Sequence, residues 1–377
     1  RLLWGTVALT IGLVALSSKN QVNDEFVKYF DTNTSFRQDT DYLAENMTGM
    51  YTIDYSLESP FQEGISHPKF LQDISNFAQW LRTQPEVEHV YTLGDTFKRL
   101  NKNMNADQEE FYKLPDDNEL AAQYLLLYEM SLPYGLDLND QININKRATR
   151  VVITTKNFSS RKTLALEKKI NDWLSENTQI QTHYAASPNL MFSHIGKRNV
   201  SSMIGGTLIA LFFISLILIM ALRSFKLGII SLAPNLIPAG MAFGVWAFFN
   251  GDLGISLASA VGMTLGIVVD DTVHFLSKYQ RARTELGKSA EEAVRYAFST
   301  VGVALWVTTL VLVAGFAVLA ASDFSMNAHM GIFTALTIAI ALIIDFLFLP
   351  ALLISVEKQK DEKATQAINI ASQPVTD

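Results

Sequence analysis

The sequence predicts a membrane α-helical fold: six transmembrane helices, with an α/β domain inserted between the first and second of them. Three observations lead to this prediction. Six apolar segments are close to or above the ~20 residues that cross a bilayer. One polar block, residues 19–199, holds 25 of the 37 acidic and 19 of the 30 basic residues of the chain. Outside that block, lysine and arginine occupy every second loop.

The apolar segments divide the chain into four predicted domains. The segments are residues 2–16, 203–222, 227–249, 253–277, 301–321 and 330–356. Because the chain starts at Arg1 and turns apolar at once, we expect residues 1–18 to be a membrane helix cut at its front, part of a longer protein. Residues 19–199 then form the inserted domain and 200–356 a five-helix bundle. The polar tail, 357–377, is expected to be disordered.

The basic residues predict the orientation. Arg223 and Lys226 separate the second and third segments, five bases separate the fourth and fifth, and three lysines follow the sixth. The other two short loops contain no lysine or arginine. By the positive-inside rule the basic loops and both chain ends are cytoplasmic, and residues 19–199 are extracytoplasmic. A capping-box sequence at Ser289–Glu292 also predicts an amphipathic helix, about residues 287–298, along the cytoplasmic membrane surface.

The polar block alternates between strand-like and helix-like periodicity. The predicted order is strand 50–57, helix 68–82, strand 87–91, helix 119–130, strand 150–155, helix 162–174 and strand 180–184. Strand-helix-strand twice over, with an insert at about 92–146, favours a split β-α-β, ferredoxin-like sandwich.

Composition excludes several function classes. The chain has a net charge of −7 and no strongly basic face, so it is not expected to bind nucleic acid. It contains no cysteine, which removes disulfides and thiolate metal sites. It contains no phosphate-binding loop, zinc-type His/Glu pair or nucleophile elbow. We therefore expect no enzyme activity, no cofactor and no metal.

Two adjacent carboxylates, Asp270 and Asp271, lie in the fourth apolar segment. One ionised Asp at the centre of a membrane helix costs ~2.5–3.5 kcal/mol, so a pair indicates proton or ion handling. Gly262 and Gly266 precede Asp270, and His274 follows it, at intervals of four, which places all four on one stripe. Glycines at this spacing allow close helix packing, so Asp270 is expected to face protein. Asp271 is rotated by about 100° toward a different neighbour.

The acids have a second interpretation, in which they only hydrogen-bond to neighbouring helices. His274 either relays protons or bonds a backbone carbonyl near the interface. Asp345, in the last apolar segment, is either a second relay group or a cap for backbone disturbed by Pro350.

Three neutral polar residues are candidates for supporting roles. Thr308 and Thr309 lie in the fifth segment, although a membrane threonine more often bonds its own helix. Asn235 lies between Pro234 and Pro238 and marks a broken third helix, which is either a hinge or a kink.

A run of apolar residues in the insert, 120–128, contains Tyr124 and Tyr128. It either lines a path for an amphiphilic substrate or packs as ordinary core.

These motifs together resemble the C-terminal half of a resistance-nodulation-division (RND) transporter. The similar branch is the MmpL-like, hydrophobe-exporting type, related to sterol-sensing-domain proteins. The resemblance covers the chain except its tail. It rests on Gly266-Ile-Val-Val-Asp270-Asp271-Thr-Val-His274-Phe, on Ala293-Val294…Gly302…Thr308-Thr309…Gly315-Phe316, on Pro234-Asn235…Pro238, and on Asp345…Leu349-Pro350.

The resemblance implies proton-driven (antiport) export of lipids or other hydrophobic molecules from a bacterial inner membrane, with residues 19–199 periplasmic. It implies a first half of the same protein as partner and leaves self-association open. The family's proton-carrying Asp corresponds to Asp270, and Asp271 stands where many members have Tyr, so which acid titrates stays open. Two alternatives remain: a Sec-type accessory protein-export subunit, and a sterol-sensing-type regulatory module without transport.

Overall fold

The computed structural model describes residues 2–133, 135–180 and 183–357. All but the first residue of the predicted tail, 357–377, lies outside the described residues. The chain divides into two compact units. We call them the helical unit, Arg1–Asn23 with Arg198–Asp377, and the α/β unit, Asp24–Lys197.

The regular elements follow in chain order. The helices are α1 (Leu2–Leu16), α2 (Ser35–Asn46), α3 (Pro68–Arg82), α4 (Leu93–Met104), α5 (Asn118–Ser131), α6 (Ser160–Asn177), α7 (Pro188–Ala221), α8 (Phe225–Ile230), α9 (Leu232–Phe249), α10 (Ile255–Thr284), α11 (Ala290–Ala297), α12 (Val303–Val318) and α13 (Ser325–Ile343). The strands are β1 (Gln21–Val22), β2 (Tyr51–Glu58), β3 (Val87–Tyr91), β4 (Ala148–Thr155), β5 (His183–Ala186) and β6 (Asp252–Leu253).

The α/β unit is built on one four-stranded sheet with the order β3-β4-β2-β5, in which neighbouring strands are antiparallel. Helix α3 connects β2 to β3, and helix α6 connects β4 to β5. The two strands of each of these pairs are parallel and have one other strand between them. This is the split β-α-β order. The alternating residues Ile53, Tyr55 and Leu57 of β2 are buried, because successive side chains of a strand point to opposite faces.

Helices α3 and α6 share an apolar core with this sheet. The rings of Trp80 and Trp173 stack between the two helices with their centroids 5.1 Å apart. Phe70 and Phe77 of α3 are fully buried in the same core. The section that we predict as an insert, about 92–146, contributes α4 and α5, which pack on each other, while α4 also packs on α3. The insert is therefore part of the core of the unit.

The helical unit is centred on α13, which packs against α9, α10 and α12. Among the described residues, five stretches of helix are long and apolar enough to cross a membrane: Pro188–Ala221, Phe225–Phe249, Ile255–Thr284, Ala290–Ala321 and Ser325–Glu357. Helix α1 has 15 residues and falls below that length. It packs against α9 at Gly244, where a Cβ atom would lie 2.0 Å from the Leu13 carbonyl oxygen.

The helix of the third apolar segment is interrupted at Ser231. This position is four residues before Asn235, where the sequence predicts the break. Helix α8 ends at Ile230 and α9 begins at Leu232. Pro234 has no N–H group to donate to the Ile230 carbonyl, so the break falls one turn ahead of the proline. The helix predicted at about 287–298 begins after its Ser289 capping box and continues into α12 through a π-helical turn, Phe298–Gly302. A second π-helical turn, Ile344–Phe348, extends α13.

Candidate functional site

Asp270 and His274 lie one turn apart on an open face of α10. Their side chains are 72% and 60% exposed, and Nε2 of His274 lies 3.5 Å from Oδ1 of Asp270. An i,i+4 spacing brings two side chains together on any helix, so this pair follows from the sequence alone.

Gly262 and Gly266 lie on the same open face. A Cβ atom built on either glycine would find no described atom within 4 Å. No helix of the described chain covers the stripe, so the close packing expected at these glycines and at Asp270 is not made within this part of the chain. The physical reason is that α13 and α9 pack against other sides of α10, where Leu265, Val268 and similar residues are buried.

Asp271 lies between the open face and the interior of the helical unit. Its side chain is half-buried and interacts electrostatically with Asp270 and His274. Thr309, buried in α12, is adjacent to the Asp271 carboxylate, although its hydroxyl makes no hydrogen bond of standard geometry among the described residues. The charge of Asp271 also acts on Asp345. The rotation of about 100° that separates adjacent helix positions thus turns the two carboxylates to different surroundings.

Asp345 is buried, with 2% of its surface exposed, and lies in the π-helical turn that extends α13. The Thr272 hydroxyl donates a hydrogen bond to its Oδ1 at 3.2 Å, which links α13 to α10. Its Oδ2 has no partner among the residues described. Thr272 is absent from the sequence-based candidates. Its position directly after two acids in an apolar helix is the signal that could have identified it.

The three carboxylates thus form a series of increasing burial, from exposed Asp270 through half-buried Asp271 to buried Asp345. Within the described ranges, none of the three has a lysine or arginine within 4.0 Å. A buried carboxylate without a cation is more stable in its neutral, protonated form. The arrangement can therefore accept a proton at an open face and hold one in the interior.

The remaining polar candidates of the helical unit fall into two groups. The Thr308 hydroxyl donates to the carbonyls of Ala304 and Leu305 in its own helix, as a membrane threonine more often does. Asn235 is buried, and neither its amide nitrogen nor its amide oxygen has a partner in the part of the chain that the structure describes.

Asn235 lines a cavity of about 320 Å³ in the helical unit. The walls come from α7, α9, α10 and α13 and are mostly apolar; they include Ile204, Leu208, Phe243, Val261 and Leu265. Thr264 and Thr337 add hydroxyls that bond carbonyls of their own helices. The space suits an apolar chain with one polar group.

The two tyrosines of the insert have different environments. Tyr124 is buried in the core of the α/β unit, and its hydroxyl donates to Oδ1 of Asn101 at 3.0 Å. Tyr128, one turn later on α5, is half-buried and lines a cleft. Tyr124 therefore has the core role, and only Tyr128 is open to a ligand.

A metal site is not part of this arrangement. Across residues 2–133, 135–180 and 183–357, no group of three or more His, Asp or Glu side chains could hold a metal ion.

Five helices of spanning length with carboxylates among them define a multi-pass membrane protein. The chain belongs to the MMPL family, because the sequence model of that family matches residues 140–368. This membership agrees with an RND-type, MmpL-like transporter. The matched region includes β4, α6 and every helix from α7 to α13, and thus all the intramembrane carboxylates. No curated protein matches the chain at a significant level.

Proposed function

We propose that the chain is half of a proton-driven secondary exporter of lipids or other amphiphiles. One observation carries the proposal: three carboxylates of graded burial lie in helices of spanning length and have no lysine or arginine partner among the described residues. Intramembrane acids are costly, and the usual role that compensates this cost is proton or ion transfer.

The geometry supports a sequence of proton transfers. Asp270 and His274 take up a proton at the open face, Asp271 passes it inward, and Asp345 holds it beside Thr272. Protonation removes a charge from an apolar environment, and loss of the proton restores it. The two states favour different packing of α10 against α13, which supplies a coupling between proton and substrate movement.

The open stripe supports a partner at this position. Gly262 and Gly266 leave room for a closely packed helix, and an exposed Asp270 in a bilayer costs ~2.5–3.5 kcal/mol. We propose that the first half of the same protein covers the stripe. Asp270 would then face protein across that contact.

The proposed topology has α1 as a sixth membrane helix, and residues 19–199 in the periplasm of a bacterial inner membrane. The alternation of basic and uncharged loops supports this orientation.

The apolar cavity supports an amphiphile as the substrate class. Its walls match a hydrocarbon chain, and the unpartnered Asn235 side chain offers amide N–H donors and an acceptor oxygen to a polar group. Membership of the MMPL family favours this function over a protein-export subunit or a regulatory module.

Proton-coupled flux in proteoliposomes tests the proposal. The purified protein is reconstituted with a trapped pH-sensitive dye, a pH gradient is imposed, and a fluorescent acyl amphiphile is supplied on one side. We expect amphiphile movement that depends on the gradient and dissipates it. Movement that is unchanged after the gradient is collapsed would contradict the proposal.

A further inference from the structure

A cleft of about 620 Å³ lies on the α/β unit, where the insert meets the sheet. Its floor contains Val90 and Leu100. The polar and aromatic side chains around it come from α3, β3, α4, α5 and the segment between the last two, and they include Arg82, Tyr91, Asp95, Lys98, Arg99 and Tyr128. The volume is large enough for a small organic ligand.

Two cationic side chains in this cleft have no acidic partner among the described residues. Arg82 is neutralised, because it contacts Oδ2 of Asp95 at 2.7 Å and also donates to the Val90 carbonyl. Among the described residues, Lys98 donates only to the Ser75 hydroxyl, at 2.6 Å, and Arg99 has no carboxylate within 4.0 Å. The cleft therefore keeps a local excess of about two positive charges, inside a block of the sequence whose net charge is −6.

The tyrosines add hydrogen-bond donors and apolar walls. Tyr91 is held in place, since its hydroxyl donates to Oε1 of Gln141 at 2.8 Å. Tyr128 is near both Tyr91 and Arg99, and its partial burial raises the pKa of its hydroxyl. The group therefore stays protonated at neutral pH and can donate to an anion. Cationic side chains beside phenol hydroxyls and aromatic rings match an anionic group attached to an apolar body.

We propose that this cleft binds the anionic group, phosphate or carboxylate, of an amphiphile. Lys98 and Arg99 supply the charge, and Tyr128 supplies a hydrogen bond. The cleft is built from residues 79–128, outside the region 140–368 that the family model matches, so it is a feature of this chain that the match does not describe. The idea that the bound molecule is exported rests on the proposed function; the binding itself does not.

Equilibrium binding to the full chain tests the inference. The protein is placed in phosphatidylcholine nanodiscs, and binding is measured by calorimetry with octyl phosphate, octanol and inorganic phosphate. We expect octyl phosphate to bind, with an affinity that falls as salt is added. Octanol and inorganic phosphate should bind at least tenfold more weakly, because each lacks one half of the proposed ligand. If octanol binds equally well, the cationic site is refuted; if inorganic phosphate binds equally well, the cleft is a phosphate site and the amphiphile is refuted.

Variants assign the binding to these residues. The double variant Lys98→Gln/Arg99→Gln should weaken octyl phosphate binding at least tenfold, and Tyr128→Phe by a few fold. Lys102→Gln is the matched control, because Lys102 lies on the same helix, pairs with Glu109 and does not line the cleft. Equal affinity of the double variant and the control, with unchanged thermal unfolding, would refute the assignment.

One further variant separates this inference from the proposed function. Asp270→Asn should leave octyl phosphate binding unchanged, because the assay contains no proton gradient and Asp270 lies in the other unit. Export without binding at the cleft would refute only the inference. Binding without proton-coupled export would refute only the function.

Discussion

At the scale of single residues, adjacent positions in one helix have different environments. Asp270 is exposed next to His274, whereas Asp271 is half-buried beside Thr309 and acts on the buried Asp345. Under the proposed function, Asp270 takes up the proton at the open face, and Asp271 passes it toward the interior. The two adjacent carboxylates thus connect the open face of the helix with the interior of the helical unit.

Replacing Asp270 by Asn should abolish proton-coupled export, because the amide has a similar size and cannot carry the proton. The measurement is gradient-dependent amphiphile movement in proteoliposomes. Glu285→Gln is the matched control: it removes an acid from the C-terminal end of α10 that pairs with Arg281. Export by a well-folded Asp270→Asn variant at the rate of the control would contradict this prediction.

The two insert tyrosines provide a second test at this scale. Tyr124→Phe should destabilise the protein by about 1 kcal/mol, because it removes the buried hydrogen bond from the Tyr124 hydroxyl to Oδ1 of Asn101. Tyr128→Phe should change stability much less, because its hydroxyl is at the cleft. The stability of the two purified variants is compared by thermal unfolding. An equal loss of stability in both variants would contradict the core role of Tyr124.

At the scale of helices, packing depends on where a glycine permits close approach. Gly244 of α9 lies against the backbone of α1, whereas Gly262 and Gly266 of α10 face open space in the described chain. Similar glycines in apolar helices therefore have different consequences, and the sequence pattern does not distinguish them.

Gly244→Ala should destabilise the helical unit by ~1–3 kcal/mol, because the new methyl group would overlap the Leu13 carbonyl. Gly205→Ala is the control, since a Cβ atom there meets no described atom within 4 Å. The midpoint of thermal unfolding should fall by several degrees for the first variant and not for the second. A normal midpoint for Gly244→Ala would show that α1 and α9 are not in this contact.

At the scale of the whole molecule, the charged loops are the basis of the proposed orientation in the membrane. The chain has no native cysteine, so single cysteines report their own accessibility. A cysteine at Asn105 should react with a membrane-impermeant thiol reagent added outside, and a cysteine at Leu286 should react only after the membrane is opened. The reverse pattern would overturn the proposed topology.

The amino-acid sequence alone was sufficient to predict the elements that depend on local information. Helix α3 and strand β3 have the predicted bounds, 68–82 and 87–91, because apolar periodicity and flanking residues act within a few positions. The contact between Asp270 and His274 was predictable for the same reason, since an i,i+4 spacing alone brings the side chains together.

The surfaces that these elements cover could not be predicted from the sequence and are known from the three-dimensional fold. In the fold, Thr272 bonds Asp345, 73 residues away in the sequence. Tyr124 is buried in the core, whereas Tyr128 lines the cleft. Lys98 and Arg99 of α4 line the same cleft. The Gly262–Gly266 stripe has no neighbour in the described chain. Contacts of this kind join segments that are distant in sequence. They depend on the packing of whole elements, and no local pattern of residues records that packing.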